Sequence, residues 1–218
     1  MLDPLVSAII GVRDGEKYFG EALDSIADQN FEDLEVIVID DGSKDASVAI
    51  AKRHPISPRV LSQAPLGVGA ALNTGIRVAR GRYLAFLDCD DVWPKGRLHL
   101  MIGIIEREAA IDGVLGRAVN TDEHLNAISS PQPARVIGAW VIKRTSALKI
   151  GEFRTDVAHA AIIDWSSRAN HVGLKFKILN EIVLLRRIHG ANLGIRDRSR
   201  AQVDLLRVIR DHHKRVHR

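Results

Sequence analysis

Three carboxylates fall within four residues at Asp88-Cys89-Asp90-Asp91, directly after the apolar run Tyr83-Leu84-Ala85-Phe86-Leu87. Acids crowded this closely repel one another unless a cation or a set of donors compensates them. Hard divalent ions such as Mg2+ or Mn2+ take oxygen ligands and bridge protein carboxylates to substrate phosphates. In Asp88-Cys89-Asp90 one acid can hold a ribose hydroxyl while the other meets a metal that neutralises a diphosphate leaving group. A helix N-cap from Asp90 or Asp91 accounts for one acid but not for three. A second acidic turn, Asp40-Asp41-Gly42-Ser43, closes the run Val36-Ile37-Val38-Ile39. A carboxylate there can accept from a base N–H or a ribose hydroxyl, while Gly42 suits the left-handed position of a tight turn. Two apolar strands ending in acids indicate one site at one sheet edge, where open α/β sheets bind ligands.

Further candidates lie in the second half. Asp164, ahead of Trp165, opens a helical pattern. It reads as a first-turn acid favoured by the helix dipole, and as a general base only if an acceptor hydroxyl lies beside it. Arg187 and His189 stand two apart at the end of a strand and so share a side, which suits diphosphate contact and, for His189, metal ligation. Gly67-Val68-Gly69 precedes a helix but fails the dinucleotide fingerprint, with Leu72 at its third glycine position, and no Gly-Lys-Ser/Thr follows. Close packing of helix on sheet is the other use of such a glycine pair.

The elements that must position these groups alternate. Strands are expected at 5–12, 34–39, 59–62 and 82–87, with helices at 15–29, 45–53 (Asp45 as its cap), 67–79 and 94–109 between and after them. This alternation argues for parallel βαβ units with helices on both faces. Beyond Trp93, strands are expected at 136–142, 175–178 and 182–187. A polar stretch is expected at 120–133, with helices at 144–149 and 162–172 and from 198 onward. The expected organisation is one α/β domain over 1–195, with a nucleotide-binding half at 1–93, an acceptor half at 94–195 and a basic helical tail at 196–218. Acceptor-facing surface is expected around 120–133 and 155–163.

Bulk properties narrow the class. The 218 residues are 46% hydrophobic and 27% charged, with a formal charge of +4, as in a soluble globular chain. Cys89 is the single cysteine, which excludes an internal disulfide and suits a reducing compartment. No basic-then-apolar leader is visible at the N-terminus, and no apolar run nears the roughly 20 residues that span a bilayer. A cytoplasmic protein is expected, peripheral to the inner membrane face if its tail meets lipid. The basic residues after Arg186 read as a solvated helix, or as a surface for an anionic membrane or a phosphorylated acceptor. Nucleic acid is not expected as a partner, because no aromatic residues are interleaved with the basic ones to stack bases.

Taken together, the segments resemble the family 2 glycosyltransferases of the GT-A (Rossmann-like) fold, a mostly parallel sheet flanked by helices. The resemblance runs from Val6 to about Asn192. It rests on Ser7-Ala8-Ile9-Ile10, Val38-Ile39-Asp40-Asp41-Gly42-Ser43, Asn73-Thr74-Gly75, Ala79-Arg80-Gly81-Arg82-Tyr83, Phe86-Leu87-Asp88-Cys89-Asp90-Asp91 and Arg187-Ile188-His189. It implies inverting transfer from a nucleotide-diphospho-sugar, a UDP-sugar by expectation, to a carbohydrate, lipid-linked or peptide acceptor. It implies Asp41 on the base, Asp88 on the ribose or sugar, and Asp90 with His189 on a divalent metal (Mn2+ or Mg2+). Gly11, Arg13, Asp14, Asn73 and Arg187 would line the donor, and Asp164 would be the catalytic base. The chain departs from the family where Gly11-Val12-Arg13-Asp14 replaces the usual Pro-Val/Ala-Tyr-Asn, and where Ile163 replaces a glutamate before the catalytic aspartate. The rival readings are a nucleotidyltransferase, for which Gly11-Val12-Arg13-Asp14-Gly15 is a poor phosphate loop, and a non-catalytic nucleotide-sugar scaffold altered at Ile163.

Overall fold

The apolar run Val6-Ser7-Ala8-Ile9-Ile10-Gly11-Val12 becomes strand β1 (Val6–Val12), buried on both faces apart from partly covered Gly11. Near-continuous burial of this kind belongs to a parallel sheet clad by helices. Residues 3–133, 136–192 and 197–216 are described by the structure, a computed structural model. The chain continues through α1 (Phe19–Ala27), β2 (Leu34–Asp40), α2 (Ser47–Arg53), β3 (Arg59–Ser62), α3 (Val68–Val78), β4 (Tyr83–Asp88) and α4 (Arg97–Arg107). It then forms β5 (Gly113–Thr121), β6 (Gln132–Pro133), a 3-10 turn at Ile137–Ala139, β7 (Trp140–Lys143), α5 (Arg144–Ile150), α6 (Ala161–His171), β8 (Phe176–Arg187) and α7 (Arg198–Val216).

One sheet holds all eight strands in the order β3-β2-β1-β4-β7-β5-β6, with β8 on the other edge of β5. Pairs β1–β2, β1–β4, β2–β3 and β5–β8 are parallel. Strand β7 runs antiparallel to β4 and β5, and so joins the parallel first half to the second half. A single hydrophobic core extends from Val6 to Leu184, so the chain is one α/β domain with a C-terminal helix. No helix among the described residues is long and apolar enough to cross a membrane.

The expected strands and helices of the first half agree with these elements to within a few residues, and two local features explain the offsets. The N-cap of α2 is Ala46, with no side-chain cap bond, and Asp45, expected as the cap, lies one residue further out, where it accepts the Ser47 N–H at 2.9 Å. Gly96 adopts φ +75°, so α4 starts at Arg97 rather than at Pro94. The glycine pair before α3 is structural. Gly67 takes φ +92°, and a Cβ on Gly69 would stand 2.9 Å from the Arg154 carbonyl oxygen.

The second half departs further. The region read as a polar stretch contains the end of the nine-residue β5, and the strand expected at 136–142 begins with a 3-10 turn before β7. The two strands expected at 175–178 and 182–187 are one, β8, whose register against β5 shifts between Leu115 and Ala118. That irregularity turns Asn180 to Ile182 outward, giving the appearance of a loop. The boundary expected at 195–196 lies outside the described residues.

Candidate functional site

Parallel register sets the site at the C-terminal edge. Gly11 of β1 lies beside Asp88 of β4, and Val12 lies beside Asp40 of β2. The chain after β1 is clamped to the turn after β2. Ser43 Oγ accepts the Asp14 N–H at 3.1 Å, Asp14 Oδ1 accepts the Lys44 N–H at 2.7 Å, and Ser47 Oγ accepts the Gly15 N–H at 2.9 Å. Asp14 itself takes φ +51°, an unusual backbone for a residue with a side chain. These bonds hold a wall beside the acidic end of β4.

The pocket against this wall has a volume of about 280 Å3 and is lined by Arg13, Asp14, Lys17, Tyr18, Cys89, Asp90, Glu123 and His189, with Gly15, Gly190 and Ala191. That is near the small end of ligand clefts, roughly 300–1,000 Å3, and suits a diphosphate end rather than a whole nucleotide sugar. Asp90 Oδ2 lies 3.0 Å from His189 Nε2 and accepts Asn192 Nδ2 at 3.0 Å. Asn192 Oδ1 in turn accepts the His189 N–H at 2.6 Å. The Ala191 N–H lies 3.3 Å from His189 Nδ1. The Tyr18 ring lies 4.9 Å from the imidazole. On the opposite rim, Lys17 donates to Glu123 at 2.6 Å, and that bond holds the carboxylate below its usual range.

The three acids after β4 diverge in their surroundings. Burial, and then the neighbouring Asp90, push Asp88 up to about 6. Asp91 is buried and shifted well upward by burial and then by Asp88 and Asp90, and its Oδ1 accepts the Arg187 N–H at 2.9 Å. Burial followed by Asp90 and Asp88 also raises the Cys89 thiol, so it stays protonated. Among the described residues no three His, Cys, Asp or Glu side chains converge on one point. The Asp90–His189 pair fits two positions of a divalent ion that draws its remaining oxygens from phosphate and water, as Mg2+-type sites do. The excess of negative charge at Asp88 and Asp90 is the electrostatic reason a cation suits this corner.

Of the expected site residues, Arg13, Asp14, Asp90 and His189 share the pocket, and Asp88 ends the strand beside it. The others have different surroundings. Gly11 stays within β1, where a Cβ would stand 3.4 Å from that of Ala71 on α3. The Asp41 carboxylate accepts Gln63 Nε2, the Leu66 N–H and the Gly67 N–H, each at 2.8 Å, and so closes the loop before α3. Asn73 is buried and exchanges two bonds with the Phe153 backbone, at 2.9 and 2.7 Å, which removes it from any donor contact. Arg187 is 1% exposed, pairs with Glu21 at 2.7 Å, donates to the Glu123 carbonyl and lies 4.3 Å from the Tyr18 ring centroid. It is a strut beneath the pocket rather than a diphosphate contact.

Asp164, expected as the catalytic base, lies among arginines. Its carboxylate is 0% exposed and meets Arg215 at 2.7 Å, Arg168 at 2.8 Å and Arg154 at 3.8 Å. The buried face of α6 is Ala161, Asp164, Trp165 and Ala169, so residue 164 points into the protein, while Ile163 is 40% exposed. Three guanidiniums enclose the carboxylate in this structure. In the 155–163 segment Val157 and Ala160 pack against Val208 of α7, while Thr155, Asp156 and Ile163 are exposed. Three contributors to the pocket were not singled out in the sequence: Lys17, Tyr18 and Glu123. Asn192 was also missed, although it sits three residues from His189. Glu123 does fall inside the stretch expected to face the acceptor.

Residues 7–158 match the family model described as Glycosyl transferase family 2. Escherichia coli chondroitin synthase is 31% identical over 214 residues, covering 88% of this chain and 30% of its own length. A glycosyltransferase of Nostoc is 28% identical over 215 residues, covering 86% of this chain and 66% of its own. The chain thus spans about a third to two thirds of these relatives. Among solved structures, S. aureus TarS superposes with a TM-score of 0.77 at 19% identity, covering 95% of this chain and 38% of TarS. The mannosyltransferase PcManGT from Pyrobaculum calidifontis, in complex with GDP-Man and Mn2+, gives 0.77 at 20% identity, covering 98% and 65%. These two likenesses establish the shared fold.

Proposed function

This chain belongs to glycosyl transferase family 2, and we propose that it moves a sugar, with inversion, from a nucleotide-diphospho-sugar to an acceptor hydroxyl. The observation that carries this reading is the Asp90–His189 pair, 3.0 Å apart, at the corner where the end of β4 brings Asp88, Asp90 and Asp91 together. A nucleotide diphosphate brings more negative charge to that corner, so its binding there calls for a cation. A divalent metal held by Asp90 and His189 would supply charge neutralisation of the leaving diphosphate. Two further observations support a nucleotide sugar as donor. TarS has been solved with UDP and with UDP-GlcNAc, and PcManGT with GDP-Man and Mn2+. Our choice within that class is a UDP-sugar, with carbohydrate, lipid-linked or peptide hydroxyls as acceptors.

The chain's own residues divide the remaining work. Arg13 and Lys17 place cationic side chains on the pocket wall, where they would hold phosphate oxygens. Asp88, beside Gly11, would take the ribose or the sugar. With Asp164 sealed, the proton of the attacking hydroxyl goes to a carboxylate on the wall. Glu123 is half exposed and kept ionised by Lys17, so it is the acceptor we assign. Inversion follows from one displacement: the acceptor oxygen bonds to the anomeric carbon as the bond to the diphosphate breaks.

The test is thermal-shift binding of UDP, GDP, CDP, ADP and dTDP, each with and without Mn2+. A ligand bound only by the folded state raises Tm by mass action. A Mn2+-dependent shift with UDP is expected, and no shift with any nucleotide overturns the reading. A larger shift with GDP would retain the site and replace the nucleotide.

A further inference from the structure

Helix α7 has two dissimilar faces. Toward the protein it turns Asp204, Val208, Asp211 and Arg215. Asp204 accepts the His159 N–H at 3.1 Å and Asp211 pairs with Arg154 at 2.8 Å, while Val208 is buried and Arg215 holds Asp164. Both acids of the helix are therefore drawn inward by partners in the body of the protein. Away from it stand Val203, Leu206 and Ile209, exposed at 58%, 67% and 54%. At 3.6 residues per turn these three occupy an arc of about 120°. Arg210 lies inside that arc with Ser199, Gln202 and His213, and Lys214, Arg207 and Arg200 follow along one edge of it, all exposed; Arg207 also reaches Asp156 and Arg210 also reaches Asp211, each at 3.7 Å.

We propose that this face docks on an anionic lipid surface, with Val203, Leu206 and Ile209 entering the headgroup–acyl boundary and the flanking cations meeting lipid phosphates. An apolar stripe bordered by Arg and Lys is what an interfacial helix requires, and the inward pairing of Asp204 and Asp211 removes the charges that would oppose it. Long arginine and lysine stems can lie along the apolar surface while their heads stay at phosphate level. A second copy of the chain fits less well. An isologous contact sets a patch against itself and would bring these cations face to face. Nucleic acid would meet the cations but leave the apolar stripe without a partner. The inference concerns a face of the molecule separate from the pocket and does not depend on the assigned reaction.

Flotation of the full chain with vesicles tests it. Binding is expected to vesicles containing phosphatidylglycerol and not to pure phosphatidylcholine, and to fall about tenfold or more when salt shortens the Debye length. Leu206→Ser with Ile209→Ser leaves the charge unchanged and is expected to weaken binding by about 100-fold, since burying each such side chain is worth at least about tenfold. Arg210→Gln with Lys214→Gln is expected to weaken binding while the stripe is intact. All four positions are exposed, so Tm and the nucleotide-dependent shift should hold in each variant. Absence of vesicle binding overturns the proposal, as does binding that Leu206→Ser with Ile209→Ser leaves unchanged. Concentration-dependent self-association abolished by the same pair would assign the face to a second copy instead.

Discussion

Asp90 and Asp164 are both aspartates at the edge of an element, both held close to basic or polar side chains, and they differ in who balances their charge. Asp164 is enclosed by Arg215, Arg168 and Arg154 with none of its surface in water. Asp90 is partly exposed, bordered by Asp88 and Asp91, and met among the described residues by His189 and Asn192. The first carboxylate has its counter-charge built in and in excess. The second shares its corner with two further acids, in a pocket that Arg13 and Lys17 also line. A cation arriving from solution improves the second environment and finds no place in the first. That contrast separates a structural acid from a ligand-binding one better than sequence position does.

The largest effect expected from this contrast is on stability. Asp164→Asn takes the shared, buried carboxylate from the partly exposed Arg168 and Arg215, and breaking a buried pair costs up to about 3 kcal/mol where one partner keeps some solvent. For a chain of this size that corresponds to a fall in Tm of roughly 6–12 °C. Nucleotide affinity of the folded protein should be unchanged. A variant with normal Tm whose transfer rate drops about 100-fold would return Asp164 to the role of base and dissolve the contrast.

Next in size is Asp90→Ala. It removes a negative charge from a crowded corner, so Tm should hold or rise. Mn2+-dependent nucleotide binding should fall by about 100-fold, as expected when the principal metal-holding oxygen is lost. Calorimetric titration of nucleotide with and without Mn2+ measures it. Equal affinity in the variant would detach the metal from Asp90.

The smallest of the three is Asn192→Ala. Its amide orients both Asp90 and the His189 backbone, and loss of such an orienting group costs about tenfold in metal affinity. The same titration sharpens the comparison, because a mere surface asparagine would show no metal-dependent difference.

Much of the architecture could be read from alternating apolar runs, because each strand of β3-β2-β1-β4 is short, buried and ended by a turn signal. The acidic corner was equally plain, since three acids after Leu87 have few structural uses. The face of α6 was less accessible. Ile163 and Asp164 are adjacent, and placing the acid inward against an outward isoleucine inverts the usual pattern. Arg168, four residues on, is a partner within reach of local periodicity, but Arg154 and Arg215, 10 residues before and 51 after, complete the enclosure and neither can be linked to Asp164 that way. Arg187 was misread for a related reason: its alternation with His189 is correct, but Glu21 and Tyr18 capture the guanidinium from α1. Glu123 and Lys17 join across the pocket from segments 106 residues apart, a contact with no sequence signature.

The seam between α6 and α7 has a kinetic consequence. Lifting α7 away would break the Arg215–Asp164, Asp211–Arg154 and Asp204–His159 contacts in one event, leaving Asp164 with less compensation inside the protein. The helix therefore cannot peel off by gradual fraying through this stretch. Amide protons of α7 between Asp204 and Arg215 should exchange together with those of α6, as one cooperative unit.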